Sequence, residues 1–291
     1  MNTPVAAGAR AATARARTTK VIRPPSFSPI RLLGAVRELF GYRDLIFTLC
    51  IHRLKVRYSQ SALGWTWAIL QPLSLMLIYT LIFSNVAKIS SGGVPYALFV
   101  YAALLPWTYF STILSTAAGS LVKHNNLITK VYFPREILPI TYLVVGLFDF
   151  CVASVLLAGM MIYFKTPPSP AILWAVPALL ILTAFGAAVA LVFSALEVRF
   201  RDVGLAMPLM VQLWMFATPV VYPLSAVPNR FRDLYVLNPL VGAIENFRRA
   251  LLGSEPIDFA SLRTSAIIAA LVLPLAYLFF KHREATMADI I

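Results

Sequence analysis

Side chains able to contact a partner by charge and hydrogen bonding are concentrated in one short segment of an otherwise apolar chain. This polar segment, residues 123–136, follows residues 89–122, which carry no charge, and precedes a second long apolar run. Its asparagines are good helix caps, and Pro134 suits the first turn of a new helix. A polar segment between two hydrocarbon-soluble helices is expected in water at a membrane face, as a short interfacial helix that another component can contact. The residues predicted to form this contact are Lys123, His124, Asn125, Asn126, Leu127, Lys130, Arg135 and Glu136.

No pattern typical of catalysis accompanies this segment. The dipeptide Gly-Lys does not occur, which excludes the phosphate-binding loop of ATPases. The three histidines, His52, His124 and His282, lie far apart, without a matching cluster of carboxylates or cysteines. Asp149 is the one charge in residues 137–164, and a carboxylate in a membrane span costs about 2.5–3.5 kcal/mol unless it is partnered or near water. It is expected to face a pathway, to tie helices together, or to be a hydrogen-bonded structural residue, and the sequence leaves these possibilities open.

Long apolar runs dominate the remainder of the chain. Of the 291 residues, 59% are hydrophobic and 13% are charged, whereas soluble domains are nearer to about 25% charged. Six runs approach or exceed the roughly 20 residues that cross a bilayer. The predicted fold class is therefore an all-α integral membrane protein, with a transmembrane domain at 58–281. Its six transmembrane helices are predicted at 62–86, 96–121, 137–164, 171–196, 203–223 and 262–280.

The net charge of +13 is distributed as a topology signal. Basic residues interrupt the apolar runs and do not form the patch or stripe of a nucleic-acid-binding protein, so no nucleic-acid partner is expected. Placing both termini and residues 123–136 and 197–202 in the cytoplasm puts most lysines and arginines on that side. The chain is therefore predicted to be a multi-pass protein of the inner (plasma) membrane with cytoplasmic N- and C-termini.

Four segments flank or interrupt the predicted spans. Residues 1–29 are basic, without acidic residues, and are predicted to be a disordered cytoplasmic tail, and residues 282–291 form a second tail. Residues 30–57 mix apolar and basic side chains, which favours amphipathic helices in the interface over a helix of a small soluble domain. Residues 224–261 are charged and broken by Pro239, which favours re-entrant or interfacial helices on the outer face, with a soluble loop domain as the alternative.

Several motifs resemble those of one family of membrane proteins. Residues 43–46 (RDLI), 57–67 (RYSQSALGWTW) and 71–72 (QP) resemble the start of the ABC transporter permeases that export polysaccharides and polyol phosphates. Residues 127–139 (LITKVYFPREILP) resemble the characteristic cytoplasmic loop of those permeases. Further motifs follow in the family's order at 200–203 (FRDV), 218–223 (TPVVYP) and 238–239 (NP). The similarity covers residues 40–280, and the O-antigen branch is the most similar.

The resemblance implies a type-2 ABC permease that forms a homodimer and works with two copies of a separate ATP-binding subunit. It implies that ATP and magnesium bind to that subunit, and that this chain carries no cofactor and is not an enzyme. By the same resemblance, the polar segment docks in the ATP-binding subunit, and the outer segment forms re-entrant helices. The helix predicted to lie along the cytoplasmic interface contains Arg43, Arg53, Lys55 and Arg57.

The implied function is export of a lipid-linked, O-antigen-like polysaccharide, with teichoic acid, capsule or galactan export as alternatives within the family. Most aromatic side chains are expected in the belts at the two membrane interfaces. Some nevertheless lie deeper, and rings that bind sugar faces weakly and repeatedly suit conduction. The residues hypothesised to line a polymer path are Tyr79, Trp107, Tyr109, Phe110 and Asp149.

Two other functional classes are less well supported by the sequence. A proton- or sodium-coupled transporter usually has ionisable residues along several spans and inverted repeats, whereas here only Asp149 lies well inside a predicted span, since Arg263 is at the very edge of the last one. A membrane enzyme acting on lipid-linked sugars needs acids or metal ligands at an interface. Glu197 and Asp202 lie near one, but Arg199 and Arg201 beside them are typical of topology charges.

Overall fold

The computed structural model describes Gly34 and residues 39–59, 61, 63–86 and 91–290. The predicted tail at 1–29 lies outside these residues, as does most of 30–38. Within the described part of the chain the regular structure is entirely helical. The helices are α1 (Arg43–Tyr58), α2 (Trp67–Tyr79), α3 (Tyr96–Ala117), α4 (Ser120–Lys123), α5 (Asn125–Lys130), α6 (Ile137–Tyr163), α7 (Ala175–Arg199), α8 (Asp202–Phe216), α9 (Asn229–Val236), α10 (Pro239–Leu252) and α11 (Phe259–Ile290).

Five described segments are long and apolar enough to cross a membrane. They contain α2, α3, α6, α7 and α11, and the all-α integral membrane class is confirmed. The fifth predicted span, 203–223, is different: it contains the 15-residue helix α8 followed by non-helical residues 217–223. The count of six spans therefore stays a prediction. The last helix also exceeds its predicted span of 262–280, because it continues through the predicted tail to Ile290.

Helix α3 forms the centre of the bundle. It is uncharged and largely apolar, and a helix of that kind is stable where neighbours cover it. Leu98, Ala102 and Leu104 are fully buried, and α3 packs against α2, α6, α7, α8 and α10. By contrast, α2 and α8 leave apolar faces exposed, with Leu77 and Leu205 as examples.

A second apolar core forms where the polar segment meets the ends of other helices. Ile128 and Phe133 of the segment pack there with Leu191 of α7 and with Phe280 and Met287 of α11. Side chains of α1 cover this cluster from one side. The polar segment is therefore fixed to the bundle by apolar contacts as well as by the short connections that flank it.

The predicted outer segment contains two short helices, α9 and α10. Neither is long enough to cross a bilayer, since α10 has 14 residues. Helix α10 is nevertheless inside the protein: Arg248 is 1% exposed, pairs with Glu245 and stacks on Phe99, with 3.8 Å between the guanidinium carbon and the ring centroid. Arg249 pairs with Glu245 at 3.1 Å. This packing argues against a separate soluble loop domain.

In the chain between α8 and α9, several backbone carbonyl groups accept hydrogen bonds from side chains. Ending a helix at membrane depth frees carbonyl oxygens, and such backbone is tolerated only where protein or water supplies donors. Each donor here comes from a neighbouring element or from the segment itself. The bonds are Tyr222 Oη to Phe216 O (2.7 Å), Asn238 Nδ2 to Ala217 O (3.1 Å), Arg248 Nη1 to Val220 O (3.4 Å) and Tyr96 Oη to Val221 O (2.5 Å).

Candidate transport cavity and polar segment

A cavity of about 270 Å³ opens between α2, α3, α6 and α8. Its wall combines aromatic rings with side chains that donate and accept hydrogen bonds. The aromatic residues are Tyr79, Trp107, Tyr109 and Phe150, and the polar ones are Arg57, Gln71, Thr108, Ser111, Thr112, Asp149 and Gln212. Four of the five residues hypothesised for a polymer path therefore lie on one cavity. Whether a polymer passes there stays a prediction.

Phe110 is the hypothesised path residue that the structure separates from the others. It faces the core, where its ring stacks on Phe185 and meets Trp214 edge-on at 5.3 Å between centroids. Tyr109 does border the cavity, and its hydroxyl lies 3.2 Å from Thr183 Oγ1.

Asp149 is paired across the bundle. Its Oδ2 lies 2.5 Å from Nη1 of Arg57, and its Oδ1 accepts a hydrogen bond from Tyr58 Oη at 2.6 Å. Burial, followed by the hydrogen bond to Asp149, raises the pKa of Tyr58, so the phenol stays protonated and donates. The carboxylate thus ties two helices together and also lines the cavity, and its role in a pathway stays a prediction.

Helix α1 packs along α6. Cys50 and Arg53 meet the first turns of α6, where Arg53 donates to Leu138 O at 3.2 Å. The guanidinium of Arg53 also stacks on Tyr142, 3.5 Å from the ring centroid. One helical turn further along α1, Arg57 reaches Asp149 in the middle of α6.

The four predicted interface arginines and lysines therefore divide into two pairs. Arg53 and Arg57 contact α6, whereas Arg43 and Lys55 are exposed. Arg43 and Lys55 leave their charges on the surface, where anionic headgroups would meet them, and the side chain of Arg57 is also 41% exposed despite its contact with Asp149.

The polar segment exposes most of its predicted contact residues. Lys123, Asn125, Asn126 and Lys130 are exposed, and Leu127 is half-buried. His124 is also half-buried, with its Nδ1 2.8 Å from Ser120 O. Burial lowers the pKa of His124, which favours the neutral imidazole at neutral pH.

Arg135 and Glu136 lie in a different environment from the other predicted contact residues. Glu136 is 2% exposed, accepts a hydrogen bond from Tyr277 Oη at 3.3 Å and pairs with Lys281 at 2.7 Å. Burial raises the pKa of Glu136, and the Lys281 charge opposes that rise. Arg135 is half-buried, and its backbone N–H donates to Glu284. Glu136 was predicted on the docking surface, but its side chain is enclosed by the protein because α11 extends alongside.

The segment presents two apolar side chains that the sequence reasoning missed. Val131 is 52% exposed and Tyr132 is 70% exposed, next to Lys130. Their neighbours Ile128 and Phe133 point into the apolar core. An exposed aliphatic and aromatic pair beside a lysine is typical of a protein-contact surface. The run of three apolar residues, VYF at 131–133, inside an otherwise polar segment was the available signal.

The side chains that line the cavity are suited to binding by ring stacking and hydrogen bonding. No group of three or more histidine, cysteine, aspartate or glutamate side chains among the residues that the structure describes is arranged to hold a metal ion. The cavity offers ring faces, amides and hydroxyls, which suit a neutral polyhydroxylated ligand. The two charged residues that line the cavity, Arg57 and Asp149, form an ion pair, so their charges offset each other.

Comparison with protein families identifies the architecture. The family described as ABC-2 type transporter matches residues 44–252, which include the cavity helices, the polar segment and α10. The chain belongs to the ABC-2 type transporter family. Helix α11 lies beyond the matched region of this ABC-2 transporter chain.

Individual relatives agree with the family. The O-antigen export system permease protein RfbA of Myxococcus xanthus is 35% identical over 173 residues, which are 59% of this chain and 65% of that protein. A protein of the same name from Klebsiella pneumoniae is 32% identical over 164 residues, covering 55% of this chain and 61% of the relative. The ABC-2 transporter chain thus spans less than two thirds of the length of these relatives.

Asn238 is a further structural residue of the ABC-2 domain that the sequence reasoning did not single out for a role. Its Oδ1 accepts from the backbone N–H of Leu240 and caps α10, and its Nδ2 donates to Ala217 O. Trp214 donates to the same side chain at 3.3 Å. The Asn-Pro pair is a helix-start signal, with Pro239 at the first turn. It fixes the end of α8 to the start of α10.

Proposed function

We propose that this chain is the membrane permease of an ABC exporter that moves a lipid-linked polysaccharide of the O-antigen type out of the cytoplasm. Two copies form a homodimer in the inner (plasma) membrane, with both termini of each copy in the cytoplasm. Two copies of a separate ATP-binding subunit bind ATP and magnesium and hydrolyse the nucleotide. The names of the relatives favour O-antigen over teichoic acid, capsule or galactan export.

The observation that carries the proposal is the composition of the cavity wall. Tyr79, Trp107 and Tyr109 supply apolar ring surface, while Gln71 and Gln212 supply amides. Sugar rings present C–H faces and hydroxyls, so ring stacking and exchangeable hydrogen bonds bind them without trapping them. Such a wall favours passage of a neutral polymer over capture of an ion.

The second part of the proposal concerns how energy reaches the cavity. The sequence lacks a phosphate-binding loop of the GxxxxGK[ST] type. The polar segment precedes α6, which carries Asp149 into the cavity wall, and its exposed Val131 and Tyr132 suit a groove on another protein. Movement of a docked ATP-binding subunit would therefore act on a helix that lines the cavity.

Narrowing the cavity tests this function directly. Gln212→Trp replaces an exposed cavity side chain with a larger one, and we expect polysaccharide at the cell surface to fall at least about tenfold, since conduction needs an open path. Surface polysaccharide is measured in cells that lack the native gene and carry the variant. Protein level in the membrane and co-purification with the ATP-binding subunit are measured in parallel.

Val155→Trp is the matched control. Val155 is 69% exposed on α6 and does not line the cavity, so the same enlargement there should leave export unchanged. If the Gln212→Trp variant exported polysaccharide at the wild-type level, the hypothesis that the polymer passes through this cavity would be refuted. Unchanged export on deletion of the gene, or on loss of the partner's ATPase activity, would refute the exporter itself.

A further inference from the structure

The C-terminal end of α11 is joined to the end of the polar segment by a cluster of charges. Lys281 Nζ lies 2.7 Å from Oε2 of Glu136 and 2.8 Å from Oε2 of Glu284. Glu284 in turn accepts two hydrogen bonds from Arg135. Its carboxylate accepts from the backbone N–H of Arg135, and its backbone carbonyl oxygen accepts from the guanidinium. Tyr277 completes the cluster with its bond to Glu136. Two residues of the segment are thus held by three residues of α11.

The environment makes these contacts stronger than ordinary surface ion pairs. The side chain of Lys281 is 20% exposed and that of Glu136 is 3% exposed. Water screens such a pair weakly, and removing one partner leaves a charge in a poorly solvated place. Phe280 and Met287 of α11 are buried beside the cluster, against Ile128 of the segment. The attachment therefore combines ionic and apolar contacts on one side of the segment.

The opposite side of the segment is the one that faces outward. Val131 and Tyr132 are exposed, whereas Glu136 is enclosed. The charge cluster therefore cannot be the docking surface, and its effect on a partner must pass through the position of the exposed residues. Rigid placement matters because a contact transmits movement only when it does not yield.

We infer that Lys281 is a positioning residue for the polar segment, and that the C-terminal end of α11 is part of the unit on which the ATP-binding subunit acts. This inference rests on the proposed function. Helix α11 also begins beside α10, where Asn246 bonds to the backbone of Asp258 and to Ser261. One continuous helix of 32 residues therefore runs from the outer helices to the polar segment.

The test removes the cation and then restores it. Lys281→Met leaves Glu136 without its partner and should lower ATP-driven export about three- to tenfold, whereas Lys281→Arg should stay within about twofold of wild type. Glu284→Gln is a milder variant that retains the Lys281–Glu136 pair, and an intermediate loss is expected. Lys165→Met, just after the C-terminal end of α6 and outside the cluster, is the control for loss of a lysine.

A second measurement reports the position of the segment itself. A spin label is placed at Tyr132→Cys after Cys50 and Cys151 are replaced by serine. Its mobility should increase in the Lys281→Met background and return to the parental value with Lys281→Arg. Mobility and export that are both unchanged in Lys281→Met and Glu284→Gln would overturn the inference.

The design separates this inference from the proposed function. Tyr132→Glu should prevent co-purification with the ATP-binding subunit if the segment docks there. If Tyr132→Glu abolishes the complex while Lys281→Met behaves as wild type, only the positioning role fails. If Tyr132→Glu leaves both the complex and export intact, the docking role of the segment fails and the positioning inference fails with it.

Discussion

Single charged residues in this protein act as ties between helices distant in sequence. Arg57 and Asp149 are 92 positions apart, and Glu136 and Lys281 are 145 apart. A charge inside or beside a membrane span is costly alone, and a partner of opposite sign recovers much of that cost. The buried Arg248 is also paired, but with Glu245 of its own helix α10. The Arg57–Asp149 and Glu136–Lys281 pairs therefore each fix where two distant pieces of chain meet.

The Arg57–Asp149 pair gives a prediction at this scale. Arg57→Gln and Asp149→Asn should each destabilise the protein, while the double variant should lose less than the sum, with a coupling energy of about 1 kcal/mol because Arg57 is partly exposed. Unfolding midpoints of the detergent-purified variants provide the measurement. Arg43→Gln serves as the comparison, since the side chain of Arg43 is 83% exposed. Strictly additive losses would contradict the tie.

The sequence was sufficient to single out individual residues of interest, but it did not identify the residues with which they pair. Asp149 stands out because it is the one charge in a long apolar run, and that needs no structure. Its partner Arg57 was assigned to the membrane interface, because a basic residue beside apolar ones has that as its common explanation. Which arginine reaches which carboxylate depends on helix packing, and periodicity within one helix carries no information about it.

At the scale of helices, the close approach of α10 to α11 is what holds the two together. Helix α10 approaches α11 closely enough that a Cβ on Gly242 would collide with the Ser261 carbonyl group and with the hydroxyl of Ser265. Small residues allow such approach in membrane proteins, where packing replaces the hydrophobic effect as the force between helices. Asn246 secures the same contact by bonding to Ser261 Oγ at 3.0 Å.

Gly242→Ala is therefore expected to destabilise the protein strongly. The backbone of Ser261 cannot rotate away as a flexible side chain can, so a loss of about 1–3 kcal/mol or more is expected from overpacking. Gly159→Ala on α6 is the control, because no atom outside its own helix backbone lies within 4 Å of the new methyl group, and alanine favours a helix by about 0.5–1 kcal/mol. Thermal unfolding in detergent distinguishes the two. Equal midpoints would refute the close approach.

Helices were predicted well where the length of an apolar run determines their position, and poorly where tertiary packing determines where they end. The spans now occupied by α3 and α6 follow directly from apolar runs of sufficient length, the first without a charge and the second with Asp149 alone. Helix α8 stops at Phe216, because the following Thr-Pro pair and the donors from Asn238 and Arg248 stabilise non-helical backbone. Helix α11 continues to Ile290, because contacts with Arg135 and Glu136 hold a stretch that composition marked as a tail.

For the whole molecule, the decisive question is whether the chain crosses the membrane at α8. A helix of 15 residues spans about 22 Å, short of the roughly 30 Å of a hydrocarbon core. The seven residues that follow can cover the remaining distance of about 8 Å, because extended chain advances about 3.3 Å per residue. Their satisfied carbonyl groups make such a path tolerable at that depth. We therefore expect α9 and the polar segment on opposite sides of the membrane.

Cysteine labelling tests this topology with one residue on each side. In a chain with Cys50 and Cys151 replaced, Arg230→Cys on α9 should react with a membrane-impermeant maleimide in intact spheroplasts, and Tyr132→Cys should react only in inverted vesicles. Both positions are exposed, and a permeant maleimide should label each in either preparation. Labelling of both from the cytoplasmic face would mean that α8 turns back before crossing. In that case α11 would cross to the outer side and place the C-terminus there. Lys281 could then no longer pair with Glu136 at the end of the polar segment.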